Sequence, residues 1–379
     1  MALKILLVHN HYASIGGESR VFQLEKQALE QVLGKENVKV YEVGSPRFPL
    51  SLVFSIFFSF RHYWHIYRTV RLHKIDIVHV HNFFPVLSAS VFFAAKQAGA
   101  KTVQCLHNYR WWCINGNFFR VNQTCTLCAD KRSMRFGIQH GCYRDSKLQS
   151  LLAVAAFGFY KWLGVFKKID LFIAMTGFQH QQLIRLGLDP SKIQIKPNMV
   201  PSVVKASANK KGFLFAGRLE ASKGIGLLLE NWVHLPPDIE LTIVGGGPME
   251  EELRAKYNQP NIHFKGICTP MQTLEYMSKA RFLIHPSLMM ETFGLTIVES
   301  MRLGVPVIAL AIGTRMELVE DGVTGFLCQP DQLLLTIQKA DQYQDYETMS
   351  KAASNFAASF DEENIVKRQL ELYQKLLIA

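Results

Sequence analysis

The chain has 379 residues, 49% hydrophobic and 19% charged, a composition typical of a globular protein that is long enough for two domains. Its net charge of +11 is uneven, since residues 1–190 carry 23 Lys and Arg against 10 Asp and Glu, whereas residues 191–379 carry 19 against 21. The basic first half predicts an anionic partner: nucleic acid, lipid headgroups or a phosphorylated substrate. The first ten residues resemble a strand and not a signal peptide, so we expect a cytoplasmic protein with reduced cysteines.

The first predicted elements have the order of a nucleotide-binding half-sheet. A buried strand over residues 3–8 is followed by a loop, by Gly16 and Gly17, and by a helix over residues 18–33. Glycines at this point let the backbone approach a ligand, although an ordinary turn would use the same residues. The pair is a candidate site with a weaker signal than a full GxGxxG motif.

Two segments of the first half combine apolar, aromatic and basic residues. Residues 48–60 carry no charge, and as a helix they would span roughly 20 Å, too short for a bilayer core of about 30 Å. Basic and aromatic residues follow over 61–74, and residues 148–168 repeat the mixture. Such segments suit either a membrane interface or helices that pack on the sheet with one basic face.

A histidine follows one of the predicted strands of the first half. Residues 75–81 and 101–106 have the pattern of strands, and His107 comes directly after the second. The carboxyl ends of parallel strands form the ligand side of such a sheet, so His107 is a candidate functional residue. An ordinary structural histidine is the alternative.

Four cysteines lie between residues 113 and 142. Cys125 and Cys128 have CxxC spacing, and Cys113 and Cys142 flank them. Four thiolates of this kind can hold a tetrahedral zinc ion that stabilises a long polar insertion. We expect a structural zinc without a catalytic role, and free thiols or disulfides are the alternatives.

The second half begins after a predicted linker over residues 197–211. An apolar strand over 212–216 runs into Arg218, and Lys223 precedes a helix. Two cations at the head of a helix are placed where a diphosphate group needs them. A solvated basic pair would show the same pattern.

Two further predicted strands of the second half end in candidate contacts for a nucleotide. Gly245 and Gly247 follow a strand over residues 241–244, and their missing side chains leave room for a base or a ribose. Ile267 follows a strand over residues 262–266.

The strongest motif spans residues 281–310 and has the order strand, loop, helix, strand. The loop contains Glu291 and Phe293 and ends at Gly294, where the backbone can approach a ligand. The amides from Leu295 onward begin a helix, whose N-terminus suits phosphate. Glu299 lies further along this helix and could accept hydrogen bonds from a vicinal diol. An ordinary helix with a solvated glutamate is the alternative.

These motifs resemble those of the retaining glycosyltransferases of family 4, which have the GT-B fold. The resemblance is carried by GRLxxxKG around Arg218 and Lys223, and by ExFGxxxxE, in which seven residues separate Glu291 from Glu299. It implies an α/β chain with two Rossmann-like βαβ domains facing a central cleft. The expected domains are an acceptor-side domain over 1–199, a nucleotide-sugar donor domain over 200–359, and a C-terminal helix over 360–379 that packs back on the first domain.

The resemblance also implies roles for the candidate residues. His107 and Glu291 would orient the donor sugar, while Arg218 and Lys223 would stabilise the departing diphosphate. The other candidates would contact the nucleotide or its phosphates: Gly16, Gly17, Gly245, Gly247, Ile267, Phe293, Gly294, Leu295 and Glu299. Asn108 replaces an aspartate that is frequent in the family, so we give it no acid–base role. Thr314 replaces a glycine, so we expect a stiffer loop there.

The expected reaction transfers a hexose from a nucleotide-diphosphate sugar to a glycan or lipid-linked acceptor with retained configuration, in cell-surface polysaccharide or glycolipid synthesis. The second domain has no DxD-type acidic pair in its phosphate loop, so we expect no catalytic metal. No nucleic-acid-binding module is recognised, and the basic half favours peripheral binding to an anionic inner membrane face. A sugar-nucleotide epimerase and a non-catalytic sugar-nucleotide-binding module are the alternatives.

Overall fold

A computed structural model describes residues 2–11, 17–44, 52–201 and 209–378, without the side chains of residues 52 and 53. The chain divides into two compact units, and each contains a six-stranded sheet. The first unit comprises Met1–Asn117, Thr126–Met199 and Glu362–Ala379, and the second comprises Phe118–Cys125 and Val200–Asp361.

The six strands of the first sheet all run parallel. They are β1 (Ile5–His11), β2 (Val38–Gly44), β3 (Ile77–Asn82), β4 (Lys101–Cys105), β5 (Leu171–Ala174) and β6 (Ile193–Ile195), in the spatial order β2-β1-β3-β4-β5-β6. Parallel strands covered on both faces have continuous apolar runs, and β3 is buried along its whole length. Because the strands run the same way, the ends of β3 and β4 meet at one edge, which brings His81 beside His107.

Helices connect and cover these strands. They are α1 (Gly17–Leu33), α2 (Leu52–Ser55), α3 (Phe60–His73), α4 (Ser90–Ala98), α5 (Leu127–Asp130), α6 (Arg135–Gln139), α7 (Lys147–Trp162) and α8 (Gly177–Arg185), with 3-10 turns at Val165–Lys168 and Pro190–Lys192. The apolar run predicted as one helix over 48–60 is broken within its described part. The helix α2 ends at Ser55, and α3 begins only after Ser59, whose backbone N–H donates to Ser88 Oγ.

The second sheet is also parallel throughout. Its strands are β7 (Phe213–Ala216), β8 (Leu241–Val244), β9 (Ile262–Gly266), β10 (Phe282–His285), β11 (Val307–Leu310) and β12 (Gly325–Cys328), in the spatial order β9-β8-β7-β10-β11-β12. The strand order therefore reverses between β7 and β10. In doubly wound sheets a ligand binds at this reversal, outside the carboxyl ends of the strands.

The helices of the second unit pack around this sheet. They are α9 (Ile225–Trp232), α10 (Glu250–Lys256), α11 (Pro270–Lys279), α12 (Leu295–Arg302), α13 (Arg315–Leu318), α14 (Leu333–Asp341) and α15 (Tyr346–Ala357), with 3-10 turns at Ala221–Lys223, Pro330–Gln332 and Ala358–Phe360. Phe213, Phe282 and Trp232 lie in the buried core between strands and helices. Burial of such aromatic side chains stabilises the unit.

Two segments are separated in the sequence from most of the unit to which they belong. The C-terminal helix α16 (Glu362–Ile378) is part of the first unit, where Gln369 and Tyr373 are fully buried. The hairpin Phe118–Cys125 belongs to the second unit, which differs from the predicted domain over 1–199. Thr124 Oγ1 in this hairpin donates to the backbone oxygen of Leu288 at 3.0 Å. A hairpin this short has little core of its own, so it goes with the surface to which it bonds.

Among the helices of the described ranges, none has the length and apolar character needed to cross a bilayer.

Candidate active site

The reversal in strand order brings two predicted motifs together in the second unit. The loop after β7 contains Lys223, and the loop after β10 contains Glu291. Lys223 Nζ donates to Glu291 Oε1 at 2.8 Å. A cation and a carboxylate that were predicted from separate motifs are therefore in direct contact.

Glu291 is buried and has further basic neighbours. His285 Nε2 lies 3.4 Å from Glu291 Oε1. Burial by itself would raise the pKa of Glu291. Electrostatic contacts with Lys223, His285 and Arg315 outweigh burial and hold this pKa well below its usual range. The site therefore presents a carboxylate among cationic groups, and we name Glu291, Lys223, His285, Thr314 and Arg315 the Glu291 cluster.

Thr314 and Arg315 connect the loop after β11 to this cluster. Thr314 Oγ1 donates to the backbone oxygen of Phe293 at 3.1 Å, which ties the two loops together. Arg315 is fully buried and donates to the backbone oxygen of Leu310 at 2.9 Å. Burial lowers the pKa of Arg315 to about 10.

Sequence reasoning missed His285 and Arg315. His285 is the last residue of β10, and its position at a strand's carboxyl end was the available signal. No sequence signal marked Arg315, because a charged residue in a polar loop is normally exposed to solvent.

The predicted glycines permit close contact between the loops after β7 and β8. A Cβ atom on Gly245, which has φ 132°, would lie 1.9 Å from the backbone oxygen of Gly217. A Cβ atom on Gly247 would lie 2.5 Å from the backbone oxygen of Leu219. Only glycine permits this packing, so both residues shape the loop that carries Arg218.

Helix α12 begins in the loop that contains Glu291. Gly294 caps the helix with φ 111°, a left-handed conformation that favours glycine, and Leu295 is the first helical residue. Glu299 is only 2% exposed and Phe293 only 3%. The burial of Glu299 argues against the alternative of a solvated glutamate.

Two predicted contacts lie at the surface of the second unit. The Arg218 side chain is half exposed and its Nε lies 3.5 Å from Glu220 Oε2. Ile267 is 86% exposed. Both side chains are accessible to a ligand from solvent.

A second buried carboxylate lies in the first unit. Glu25 of α1 has its Oε2 at 2.5 Å from Lys196 Nζ, and its Oε1 at 3.1 Å from His79 Nδ1 and 3.3 Å from His81 Nε2. His107 Nε2 lies 3.0 Å from His81 Nδ1. Hydrogen bonds and ion pairs join eight residues, which we name the Glu25 cluster: Glu25, His79, His81, Cys105, His107, Lys196, Gln369 and Tyr373.

The charge state of this cluster follows from its burial. Burial by itself would raise the pKa of Glu25. Electrostatic contacts with Lys196, His81 and His79 outweigh it and hold that pKa well below its usual range. Burial lowers the pKa of His79 to about 4 and holds that of His107 well below its usual value. Glu25 is therefore a carboxylate and His107 a neutral imidazole at neutral pH.

Within the described part of the chain, His79, His81 and Cys105 form the only group of three whose ligand atoms lie within 4.8 Å of one another. Burial raises the pKa of the Cys105 thiol well above its usual value, and Lys196 is a neighbouring cation. A metal needs a thiolate and would add positive charge here, so a hydrogen-bonded network describes this group better.

The remaining predicted residues lie elsewhere or outside the described ranges. Gly16 lies outside them, and Gly17 is the exposed first residue of α1. None of the seven cysteines, all of which lie in the described ranges, is in a disulfide; Cys113 is buried, and Cys125, Cys128 and Cys142 are half-buried. The predicted zinc site and the predicted contacts of the glycine pair stay predictions.

Two doubly wound parallel sheets, the second with cations and a carboxylate at its strand reversal, have the architecture of the GT-B fold. The family model described as Glycosyltransferase Family 4 matches residues 8–202, about half of the chain, and the model described as Glycosyl transferases group 1 matches residues 201–356. The chain belongs to Glycosyltransferase Family 4.

Individual relatives are distant. The O-antigen chain mannosyltransferase C of Escherichia coli is 29% identical over 177 residues, which cover 44% of this chain and 47% of that protein, so the match spans about half of the relative. A 41.2 kDa protein in the cps region of Klebsiella pneumoniae is 22% identical over 325 residues, 82% of this chain and 81% of the relative. Anabaena Alr3699/HepE in complex with UDP superposes with a TM-score of 0.69 at 17% identity, covering 98% of this chain and 100% of that chain.

Proposed function

We propose that this protein is a retaining glycosyltransferase that moves a hexose from a nucleotide-diphosphate sugar to a glycan or lipid-linked acceptor. The observation that carries the proposal is the 2.8 Å contact between Lys223 and Glu291. Glu291 lies in the loop that leads to Gly294, where helix α12 begins. A diphosphate needs a cation and backbone amides, and a sugar needs a carboxylate that accepts hydrogen bonds. All three groups occur at one strand reversal.

The chain's own residues account for the parts of this reaction. Negative charge grows on the diphosphate as its bond to the sugar breaks, and Arg218, Lys223 and the amide of Leu295 stabilise it. Glu299 accepts hydrogen bonds from the ribose hydroxyls. Glu291 and His107 orient the donor sugar.

The transfer step needs no nucleophile from the protein. The bond between the anomeric carbon and the diphosphate oxygen breaks, and a bond from the acceptor oxygen to the same carbon forms on the same face. The acceptor hydroxyl gives its proton to the departing diphosphate oxygen. Retention follows because the new bond replaces the old one on one face of the sugar.

The relatives suggest which donor and which acceptor to test first. A uridine diphosphate sugar is the first donor to test, since the Anabaena protein of the same fold is described in complex with UDP. A growing surface polysaccharide is the first acceptor class, since the relatives are named for an O-antigen chain and for a cps region. An acceptor of this class that is lipid-linked would favour an enzyme bound peripherally to the inner membrane face.

We further propose a structural zinc ion held by Cys113, Cys125, Cys128 and Cys142. The support is the CxxC spacing with one flanking cysteine on each side, in a segment of short helices and turns. Elemental analysis of protein purified under reducing conditions should find about one zinc per chain. Metal-free protein whose melting temperature is unchanged by a chelator would contradict this proposal.

The donor can be identified with purified full-length protein. Thermal-shift measurements with UDP-, GDP- and ADP-sugars should raise the melting temperature for one nucleotide, because a ligand that binds only the folded state stabilises it. Nucleotide diphosphate should then be released from that donor only when an acceptor is present.

The alternatives give different results in the same assay. An epimerase converts the sugar without an acceptor, and a binding module shows the thermal shift without any turnover. Either result would contradict the proposed transfer.

A further inference from the structure

We propose that Glu25 and His81 are positioning residues that fix the proton arrangement of His107. In this arrangement the Glu25 carboxylate keeps the proton of His81 on Nε2, and His81 Nδ1 accepts a hydrogen bond from His107 Nε2–H. The benefit of this arrangement rests on the role proposed for His107 toward the donor sugar, but the arrangement itself does not.

The two imidazoles meet edge to edge. His81 Nδ1 and His107 Nε2 are 3.0 Å apart, and the ring planes differ by only 17°. The ring centroids are 5.1 Å apart, close to the nitrogen–nitrogen distance plus the two ring radii, so the rings lie almost in line. A hydrogen bond between two such nitrogens requires that one carries the proton and the other a lone pair.

Glu25 sets the direction of this bond. Its Oε1 lies 3.3 Å from His81 Nε2, without the angle of a well-formed hydrogen bond, so the contact is electrostatic. A lone pair facing a carboxylate at this distance is repelled, and an N–H group is attracted. A neutral His81 therefore carries its proton on Nε2, which leaves Nδ1 as the acceptor for His107.

The surrounding residues hold Glu25 in its place and charge state. Lys196 Nζ donates to Glu25 Oε2 at 2.5 Å, and both side chains are only 1% exposed. Gln369 Nε2 of the C-terminal helix donates to Glu25 Oε1, also at 2.5 Å. Each carboxylate oxygen thus accepts a hydrogen bond. The oxygen that faces His81 cannot rotate away without breaking the buried hydrogen bond from Gln369.

The consequence concerns the other nitrogen of His107. With its proton on Nε2, His107 has a lone pair on Nδ1, which is the state that accepts a hydrogen bond from a hydroxyl group. The opposite tautomer would donate there. Glu25 and His81 would in this way decide whether His107 accepts or donates.

Nuclear magnetic resonance of the full-length protein tests the arrangement directly. Ring nitrogens of ¹⁵N-histidine-labelled protein report which of them carries a proton, and His107→Gln identifies the His107 signals by their loss. In the wild type we expect His107 to be protonated on Nε2 and bare on Nδ1. A proton on Nδ1 would overturn the proposal.

Two variants separate positioning from mere packing. His81→Phe keeps a flat ring but has no acceptor, so the single-tautomer signature of His107 should be lost. Tyr373→Phe is the matched control, because it removes a hydroxyl that contacts His79 at the other end of the cluster, and the signature should remain. An unchanged signature in His81→Phe would overturn the proposal.

A second design covers the case in which His81→Phe does not fold. Glu25→Leu combined with Lys196→Met replaces the buried ion pair by apolar side chains, a change that buried pairs often tolerate. His107 should then populate both tautomers. If the expected tautomers are found but no nucleotide sugar binds, the proposed function fails and the arrangement of His107 stands.

Discussion

The two units each contain a buried glutamate paired with a lysine and with histidine, and the pairs differ in their access to solvent. The side chains of Glu25 and Lys196 are both 1% exposed, with a 2.5 Å contact. Those of Glu291 and Lys223 are 9% and 27% exposed, with a 2.8 Å contact. The same chemical groups are sealed in the first unit and open in the second.

This difference separates two uses of one motif. A sealed pair cannot exchange partners, so its charge acts only on its neighbours, here the histidines that lead to His107. In the open pair, Lys223 can leave Glu291 for a phosphate, because solvent stabilises both charges during the exchange. A sealed pair must also compensate the desolvation of both ions, which requires the additional hydrogen bonds that the Glu25 cluster contains.

The largest effect should come from breaking the sealed pair. Lys196→Met leaves Glu25 buried without its ammonium partner and should lower the free energy of unfolding by about 3–5 kcal/mol. Lys223→Met should cost clearly less, because water reaches that side chain. Urea unfolding of both variants measures the difference. Equal losses would remove the distinction between the sealed and the open pair.

Acid should weaken the first unit through its buried histidines. Burial lowers the pKa of His79 to about 4, whereas the unfolded chain titrates near its usual 6.5. The folded state then binds fewer protons between these values, so stability is complete above pH 6.5 and falls as the pH is lowered toward 4. The loss from His79 alone is on the order of 3 kcal/mol.

Melting temperatures between pH 7 and pH 4.5 measure this dependence. His79→Gln should flatten it, while the same change at the exposed His234 should leave it unaltered. A dependence that is identical in both variants would show that His79 does not carry the acid sensitivity.

Removing a cation from the candidate active site of the second unit should affect turnover more than stability. Lys223→Ala or Arg218→Ala removes charge that stabilises the departing diphosphate, and each should reduce turnover by about 10²-fold or more. Lys279→Ala is the matched control, since this lysine pairs with Glu275 on the surface of α11. Rates equal to the wild type in either test variant would contradict the diphosphate assignment.

The two residues of the open pair could be named from the sequence as separate candidates, but their contact could not. Arg218, Lys223 and Glu291 follow strands whose apolar runs predict parallel order, and parallel order brings the carboxyl ends of strands together. The contact between Lys223 and Glu291 follows from the strand reversal between β7 and β10. That reversal is a property of topology, which no local pattern of the sequence contains.

The sealed pair could not be found in this way. Glu25 lies on an amphipathic helix and Lys196 after a short strand, 171 positions away, and each has the pattern of a solvated residue. Only the packing of α1 and α16 against the sheet makes them neighbours. His79 and His81 were accessible to prediction, because alternate residues of a strand share one face.

Helices α3 and α7 of the first unit form a surface that carries exposed apolar and basic side chains. Large apolar side chains are exposed on α3 and α7: Phe60, Trp64, Leu72, Leu148, Leu151 and Trp162. The rings of Phe57 and Phe159 lie 6.0 Å apart, so the segment before α3 and the helix α7 adjoin. Of the predicted apolar run, residues 48–51 lie outside the described ranges. The described part is therefore not completely packed against the sheet, and binding to lipid stays a prediction.

The smallest expected contribution of a single residue is to the binding of this surface to membranes. Exposed arginines such as Arg61 and Arg68 accompany the apolar side chains, and each basic residue near an anionic surface contributes about 1 kcal/mol. Co-sedimentation should therefore show binding to anionic vesicles, weaker binding to neutral ones, and a decrease as salt screens the charges. Trp64→Ala with Trp162→Ala should reduce binding, whereas Leu335→Ala, at an exposed apolar position of the second unit, should not. Equal sedimentation with anionic and neutral vesicles at low salt would refute membrane association, and the acceptor would then be sought among free glycans.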